Sequence, residues 1–542
     1  MIKTLRPFAP YYVVALLVLL PMLRPGYILT LDMVFTPWLP MPSAVTSSYL
    51  FHAGLHVLNF LIPSSIIQKL LLLSILLLAS IGMHRLVRSI AREQNLSASI
   101  YIASIFFAIN PFTYSRFMAG QYAVLLGYAL LPWLTQSALV FAVRPNLRQA
   151  CWLGVLITII GIVSIHTLAA VAILGGVGGA IGWWRHTEKR GALVRYGLVI
   201  LGTFVVLSSY WLLPLLAGKG KTAAAIGGFT SADTQAFMTT GTTVPARMFH
   251  SLRLQGFWLE DRGLYALPQD RTVLWGLSSL IFIALAIAGA HRLWRTRRAL
   301  VLWLGVTSAT AIVIAAGALS GLLTALPLGA GLREPHKLVM LVALAYGVFL
   351  AFGCQAFLEQ LRSKHQMWHA PAMIVLLVLP LSYTRAMLWG FNGQLTPRQY
   401  PSDWFMLRQQ LAQSTATTKG HVLFLPWHQY MTFAFADRII ANPAPDFFGK
   451  NVIVSNDPEL DGAASYAASS AQKALGKLVV PKGRQNTAAL ARELNRQNVA
   501  YVVLTNDYDY DDYDYLTTVP TLQKQAVYPT LTLYKNTAWR HT

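Results

Sequence analysis

The chain of 542 residues is 55% hydrophobic and 12% charged, with a mean hydropathy of +0.49 and a formal net charge of +22. Soluble proteins carry about 25% charged residues, so the composition excludes an ordinary soluble protein and predicts a polytopic α-helical membrane protein. The positive charge lies mainly in short loops between apolar runs, which argues against a nucleic-acid-binding protein.

Apolar stretches of membrane-spanning length recur along the chain. About 20 predominantly apolar residues are needed to cross the hydrocarbon core as a helix. The eleven predicted spans are 9–24, 66–84, 97–113, 120–142, 149–165, 167–184, 196–216, 273–291, 299–318, 336–358 and 368–389. Residues 149–184 could form one broken helix pair instead of two full spans, because the sequence at Ser164 leaves almost no room for a turn between them.

Basic residues fall in alternate loops. They are Lys3 and Arg6; Arg85, Arg88 and Arg92; Arg144 and Arg148; Arg185, Lys189, Arg190 and Arg195; Arg292, Arg295, Arg297 and Arg298; and Arg362 and Lys364. Cytoplasmic loops are enriched in Lys and Arg, which predicts an integral plasma (inner) membrane protein with its N-terminus cytoplasmic and its C-terminus outside. No small-residue cleavage pattern follows the first apolar run, so we interpret it as an uncleaved anchor.

The first outer loop, 25–65, contains one acidic residue, Asp32. It is the only acid that precedes Glu93, and it lies in an apolar, proline-rich stretch. An ionisable group at a membrane boundary is costly unless it has a task, which predicts a functional role. The alternative is a helix cap or an ion pair with an outer-loop arginine.

The same loop contains two histidines at helical spacing. His52 and His56 share one face of a predicted interfacial helix over 47–62. That spacing would suit a metal pair, but no third ligand is evident and the polar face of an interfacial helix explains them more simply. No metal site is therefore predicted.

Two further outer segments gather polar side chains. The turn from Asn110 onward holds Tyr114, Arg116 and Gln121, and either lines a polar ligand cavity or satisfies its own backbone.

The second segment lies just before the tenth predicted span. Arg333, His336 and Lys337 place three potential cations at a helix start, which favours a phosphate site. Alternatively, the long basic side chains extend to the membrane interface and Glu334 pairs with one of them.

The C-terminal part of the chain has a different pattern. The sequence predicts helices over 403–413 and 487–498 and strands over 421–427, 500–505 and 531–534, which together indicate a small extracytoplasmic α/β domain. The predicted domains are therefore residues 1–390, in the membrane, and 391–542, outside.

These features together resemble the GT-C superfamily of integral membrane glycosyltransferases. Asp32 matches the position of the catalytic acid in the first outer loop, and the segments Asn110–Trp133 and Leu332–Pro335 look similar to the bacterial arabinofuranosyltransferase-type members. The terminal helix and strands are also similar to their outer domains. Many members pair two acids in that loop, whereas this chain has one, so a divalent cation stays an open alternative rather than a predicted cofactor.

The resemblance implies transfer of a sugar from a polyprenyl-phosphate donor to a cell-envelope glycan or glycolipid acceptor. Asp32 would act as the base, while Arg333, His336, Lys337 or Arg116 would hold the donor phosphate. Glu334, Tyr114, Gln121, His52 and His56 would line the cavity. The expected partners are membrane lipids, the lipid-linked sugar and the acceptor, and not nucleic acid. A transporter of a lipid-linked precursor and a non-catalytic accessory subunit remain alternatives.

Overall fold

The computed structural model describes residues 6–91, 96–185, 187–228, 231–267, 273–325, 329–414, 419–449, 451–457, 459, 468–479 and 486–540. Lys3 and Arg92 of the predicted basic loops lie outside the described residues. A helical bundle has a hydrophobic core whose last residue is Leu395, and a second core is formed by Leu29 and by residues from Tyr400 onward. The structure confirms a polytopic helical protein with a C-terminal α/β region.

The bundle is built from sixteen helices in the described part of the chain. These are α1 (Ala9–Leu19), α2 (Tyr49–Asn59), α3 (Ser64–Ala91), α4 (Ser97–Ala108), α5 (Pro111–Met118), α6 (Tyr122–Val143), α7 (Leu147–Val163), α8 (Ile165–Arg185), α9 (Arg190–Leu216), α10 (Gly220–Gly228), α11 (Ser231–Ala236), α12 (Val244–Leu252), α13 (Val273–Ala315), α14 (Ser320–Ala325), α15 (Met340–Lys364) and α16 (His369–Tyr383).

Eight helical segments among the described residues are long and apolar enough to cross a membrane: Arg6–Leu23, Ser64–Ala91, Tyr122–Val143, Ile165–Arg185, Arg190–Leu216, Val273–Ala315, Pro335–Lys364 and Gln366–Tyr383. The count of eleven spans stays a prediction. Two of the predicted spans fall within α13, whose backbone leaves the helical region at Arg297 (φ −137°, ψ 44°). The predicted span 97–113 corresponds to α4, which has only 12 residues. The predicted span 149–165 corresponds to α7, an apolar helix shorter than the eight segments named above.

The centre of the bundle is the pair α13 and α15. A Cβ atom on Gly289 would lie 1.8 Å from the Phe349 carbonyl oxygen, and one on Gly353 would lie 1.9 Å from the Leu285 carbonyl oxygen. Small residues let helix backbones approach this closely in membranes, where van der Waals packing drives helix association. Met340–Cys354 of α15 is buried throughout, whereas most of the remaining residues to Lys364 are exposed or half-buried.

The C-terminal region contains α17 (Ser402–Gln413), α18 (Ala444–Phe448), α19 (Ser470–Gly476) and α20 (Thr487–Arg496), with strands β1 (His421–Leu425), β2 (Tyr430–Phe433), β3 (Arg438–Ala441), β4 (Val452–Ile453), β5 (Val499–Thr505), β6 (Leu522–Val527) and β7 (Leu531–Asn536). β4, β1 and β5 run parallel and β5, β7 and β6 antiparallel, in the order β4-β1-β5-β7-β6. β2 and β3 form a separate antiparallel hairpin.

The first outer loop connects the two regions. Tyr27 and Arg398 exchange two backbone hydrogen bonds of 2.8 Å. Leu31 forms a bridge with Ile440 of β3, and the Ala441 amide donates to the Leu31 carbonyl at 2.9 Å. The loop that carries Asp32 is therefore held between the bundle and the β2–β3 hairpin.

Candidate active site

Asp32 lies in a tight turn between Thr30 and Met33. The Met33 amide donates to the Thr30 carbonyl at 2.7 Å, and Leu31 within the turn has a positive φ of 33°. Positive φ is disfavoured for a residue with a branched side chain, so surrounding contacts must stabilise this backbone. The Asp32 amide supplies one such contact by donating to the Ala119 carbonyl at 3.1 Å.

Gly120 allows this turn to approach the bundle. Its φ is +72°, and a Cβ atom there would lie 2.3 Å from the Met33 amide nitrogen and 2.5 Å from the Thr30 carbonyl oxygen. Only glycine fits both requirements. The preceding helix α5 is fixed by a capping box, in which Asn110 and Thr113 bond each other's backbone amides. The polar turn seen in the sequence therefore positions Asp32.

Tyr430 at the start of β2 contacts the carboxylate directly. Its Oη donates to Asp32 Oδ1 at 2.7 Å. The pKa of the Tyr430 phenol is raised by burial and by the neighbouring charge of Asp32, so the hydroxyl keeps its proton and acts as a donor. The C-terminal region thus supplies a residue to the site.

The Asp32 side chain is accessible to solvent, although protein surrounds it as densely as an interior residue. Both observations fit a carboxylate inside a water-accessible recess. This enclosure raises the pKa of the Asp32 carboxyl above its usual range, whereas the Tyr430 hydrogen bond and the Lys337 charge act in the opposite direction. A carboxylate with a raised pKa is a better proton acceptor than one in bulk water.

A buried network of charges lies next to Asp32. Glu334 forms ion pairs with Lys337 (Nζ–Oε2 2.8 Å) and with Arg116. Burial by itself would raise the pKa of the Glu334 carboxyl, but the Lys337 and Arg116 charges outweigh it and hold that pKa below its usual range. Glu334 is therefore ionised and orients both cations.

Arg116 is the centre of this network. Its Nη1 donates to Gln121 Oε1 at 2.8 Å, and its Nη2 contacts His336 Nδ1 at 2.9 Å. Arginine is always a donor, so His336 Nδ1 accepts and its Nε2 donates to the Gln255 carbonyl at 3.0 Å. Arg116 and His336 are fully buried. Their polar groups form hydrogen bonds within the network. Lys337 and Arg333 are the cations whose charges interact with the charge of Asp32.

The structure places the remaining predicted residues elsewhere. Tyr114 donates to the Ala266 carbonyl and accepts from Gln394 Nε2 at 3.0 Å, within a buried aromatic contact. His52 and His56 lie on α2 and bond the carbonyls of Ser48 (3.0 Å) and Leu39 (2.5 Å). None of the contacts described for these three residues reaches Asp32.

One residue that contacts Asp32 was missed in the sequence. Tyr430 lies 398 positions along the chain from Asp32, and nothing in the local pattern of β2 distinguishes it from other strand tyrosines. Among the described residues, no three His, Cys, Asp or Glu side chains are grouped to hold a metal ion.

The carboxylate lies beside paired cations where the helical membrane bundle meets the C-terminal α/β region, and the comparisons identify this architecture as an integral membrane protein of the GT-C glycosyltransferase fold. The chain belongs to the family described as alpha-(1->3)-arabinofuranosyltransferase, N-terminal GT-C domain, which matches residues 46–535. No curated protein matches the chain.

A solved structure shows the same fold. The arabinofuranosyltransferase AftD from Mycobacteria superposes with a TM-score of 0.64 at 18% identity, over 98% of this chain and 42% of that one. The chain thus spans less than half the length of that protein. The archaeal oligosaccharyltransferase AglB from Archaeoglobus fulgidus, solved with an inhibitory peptide and a dolichol-phosphate, aligns with a TM-score of 0.46 at 11% identity, over 98% of this chain and 71% of that one.

Proposed function

We propose that the protein transfers a sugar from a polyprenyl-phosphate donor to an extracytoplasmic cell-envelope glycan or lipid acceptor. The observation that carries this proposal is the accessible Asp32 carboxylate, hydrogen-bonded by Tyr430 and facing the charge of Lys337. Family membership supports glycosyl transfer as the reaction and makes arabinofuranose the first sugar to test.

In the proposed reaction, an acceptor hydroxyl attacks the anomeric carbon of the donor. The new glycosidic bond forms from the hydroxyl oxygen, whose proton passes to an Asp32 carboxylate oxygen. The bond between the anomeric carbon and the phosphate oxygen breaks, and the phosphate leaves with the electron pair. Tyr430 orients Asp32 and does not itself accept the proton, because it already donates to Oδ1.

Lys337 and Arg333 are proposed to hold the departing phosphate. Cations that are already fixed when negative charge develops stabilise the transition state without reorganisation. Glu334 holds Lys337 through the 2.8 Å ion pair. Arg116 also pairs with Glu334, and His336 accepts a hydrogen bond from Arg116. In this arrangement Arg116 and His336 act on the phosphate only through the residues they position.

Asp32→Asn tests the base. It keeps the shape of the side chain and removes the charge, so transfer from a labelled polyprenyl-phosphate arabinofuranose should fall by about 100-fold or more in detergent. Asp437→Asn is the matched control, because Asp437 is an exposed acid that pairs with Arg398. Transfer by Asp32→Asn at the rate of the control would refute the assignment.

Lys337→Met tests the phosphate contact. Losing a charged contact should raise the KM for the donor by about 10- to 100-fold, with little change in the KM for the acceptor. A transporter would also bind the lipid phosphate, so product formation decides between the classes. If the purified protein makes no glycosidic bond with any donor and acceptor pair but moves the lipid across liposomes, the transport alternative is correct.

A further inference from the structure

A large apolar cavity lies among the helices of the bundle. Its volume is about 1040 Å³, at the upper end of the roughly 300–1,000 Å³ range of small-molecule pockets. It is bounded by the C-terminal half of α6, the middle of α7, most of the length of α8, the N-terminal half of α9 and the kink of α13. Gln121 precedes α6 at the Asp32 site, and the first α6 residue that lines the cavity, Leu134, lies about 20 Å further along the helix.

Basic residues concentrate at the rim of this cavity. Among the described residues that line it, Arg185, Arg297 and Arg298 are cationic and none is acidic. Arg185 and Arg298 are exposed, and the Arg298 guanidinium stacks on Trp294 at 4.7 Å. Tryptophan and arginine together are typical of the level at which a helix leaves the hydrocarbon core. The cavity is therefore apolar inside and cationic where it meets the membrane surface.

Glycines on α8 create the open volume. A Cβ atom on Gly175, Gly176 or Gly179 would have no protein atom within 4 Å. Gly178 has a different role, because its Cβ would lie 2.8 Å from Trp303 Nε1, which donates to the Leu174 carbonyl at 2.7 Å. That contact fixes α8 against α13, while the neighbouring glycines leave the space beside it unfilled.

We propose that this cavity binds an anionic phospholipid, with its acyl chains among α8, α9 and α13 and its phosphate at Arg185 and Arg298. An acyl chain matches the apolar walls, and basic pockets between membrane helices recognise anionic headgroups. The arginines belong to loops predicted to be cytoplasmic, where anionic lipids attract such residues. The two headgroup arginines are distinct from Arg333 and Lys337, the cations proposed to hold the donor phosphate.

The test uses the purified chain in detergent after removal of co-purified lipid. Native mass spectrometry should show dioleoyl phosphatidylglycerol retained in preference to dioleoyl phosphatidylcholine. The double variant Arg185→Gln, Arg298→Gln should lose that preference, by about fivefold for each arginine. Because both arginines are exposed, this variant is expected to fold normally.

A second variant tests the cavity itself. Gly179→Leu fills the open space and should reduce retention of both lipids. Gly305→Leu is its control, since Gly305 has equally open surroundings on α13 but does not line the cavity. Equal retention of both lipids by the wild type, or equal phosphatidylglycerol retention by Gly179→Leu and Gly305→Leu, overturns the proposal.

Discussion

Tyr430→Phe should move the pH dependence of transfer. The substitution removes one hydroxyl and with it the 2.7 Å hydrogen bond to Asp32 Oδ1. A hydrogen bond to a charged group contributes about 1.5–3 kcal/mol, and one pKa unit corresponds to about 1.36 kcal/mol, so the pKa of Asp32 should rise by roughly one unit or more. The direction is upward because the lost donor stabilised the ionised form.

The base must be ionised to accept a proton, so activity is lost as the pH falls through the pKa of Asp32. The acidic limb of kcat/KM against pH should therefore shift to higher pH by about one unit, with activity largely recovered above it. Tyr501→Phe is the matched control, because its hydroxyl bonds Ser414 within the α/β region. A uniform loss of activity with an unmoved limb would show that Tyr430 only stabilises the fold.

Three other predictions concern the turn, the outer region and the topology. Gly120→Ala should displace the Asp32 turn and reduce both thermal stability and transfer, whereas Gly54→Ala, which has open surroundings, should leave both unchanged. Burial by itself would lower the pKa of His428, but its hydrogen bonds with Glu459 and Asp509 raise that pKa to about 8. The stability from these contacts is therefore present below about pH 6.5 and is lost as the pH rises through about 8. The thermal unfolding temperature of His428→Gln should not show this loss. Reporter fusions after positions 92, 190 and 298 should report cytoplasm and one after 400 the outside; a cytoplasmic signal after 400 would reverse the orientation.

Periodicity and composition predicted the elements that depend on local sequence. The predicted helix over 403–413 is observed as Ser402–Gln413, and the predicted strand over 500–505 as Val499–Thr505. Apolar runs also located the membrane helices, because a backbone in the hydrocarbon core must satisfy its own hydrogen bonds and a helix does so within one segment. The number of spans was harder to predict, since 97–113 divides at Asn110, where a capping box begins a new helix.

The sequence by itself determined that this is a helical membrane protein with a C-terminal α/β region, and it singled out Asp32 because a lone acid in apolar surroundings is costly. Only the tertiary structure decided which residues meet that acid. Arg116, His336 and Lys337 were all predicted as phosphate ligands, and only the structure shows that Arg116 and Lys337 pair with Glu334 while Arg116 contacts His336. Tyr430 gave no local signal, because its role depends on a hairpin docking against a turn 398 residues away. Burial and ion pairing are set by such long-range contacts, which residue spacing does not encode.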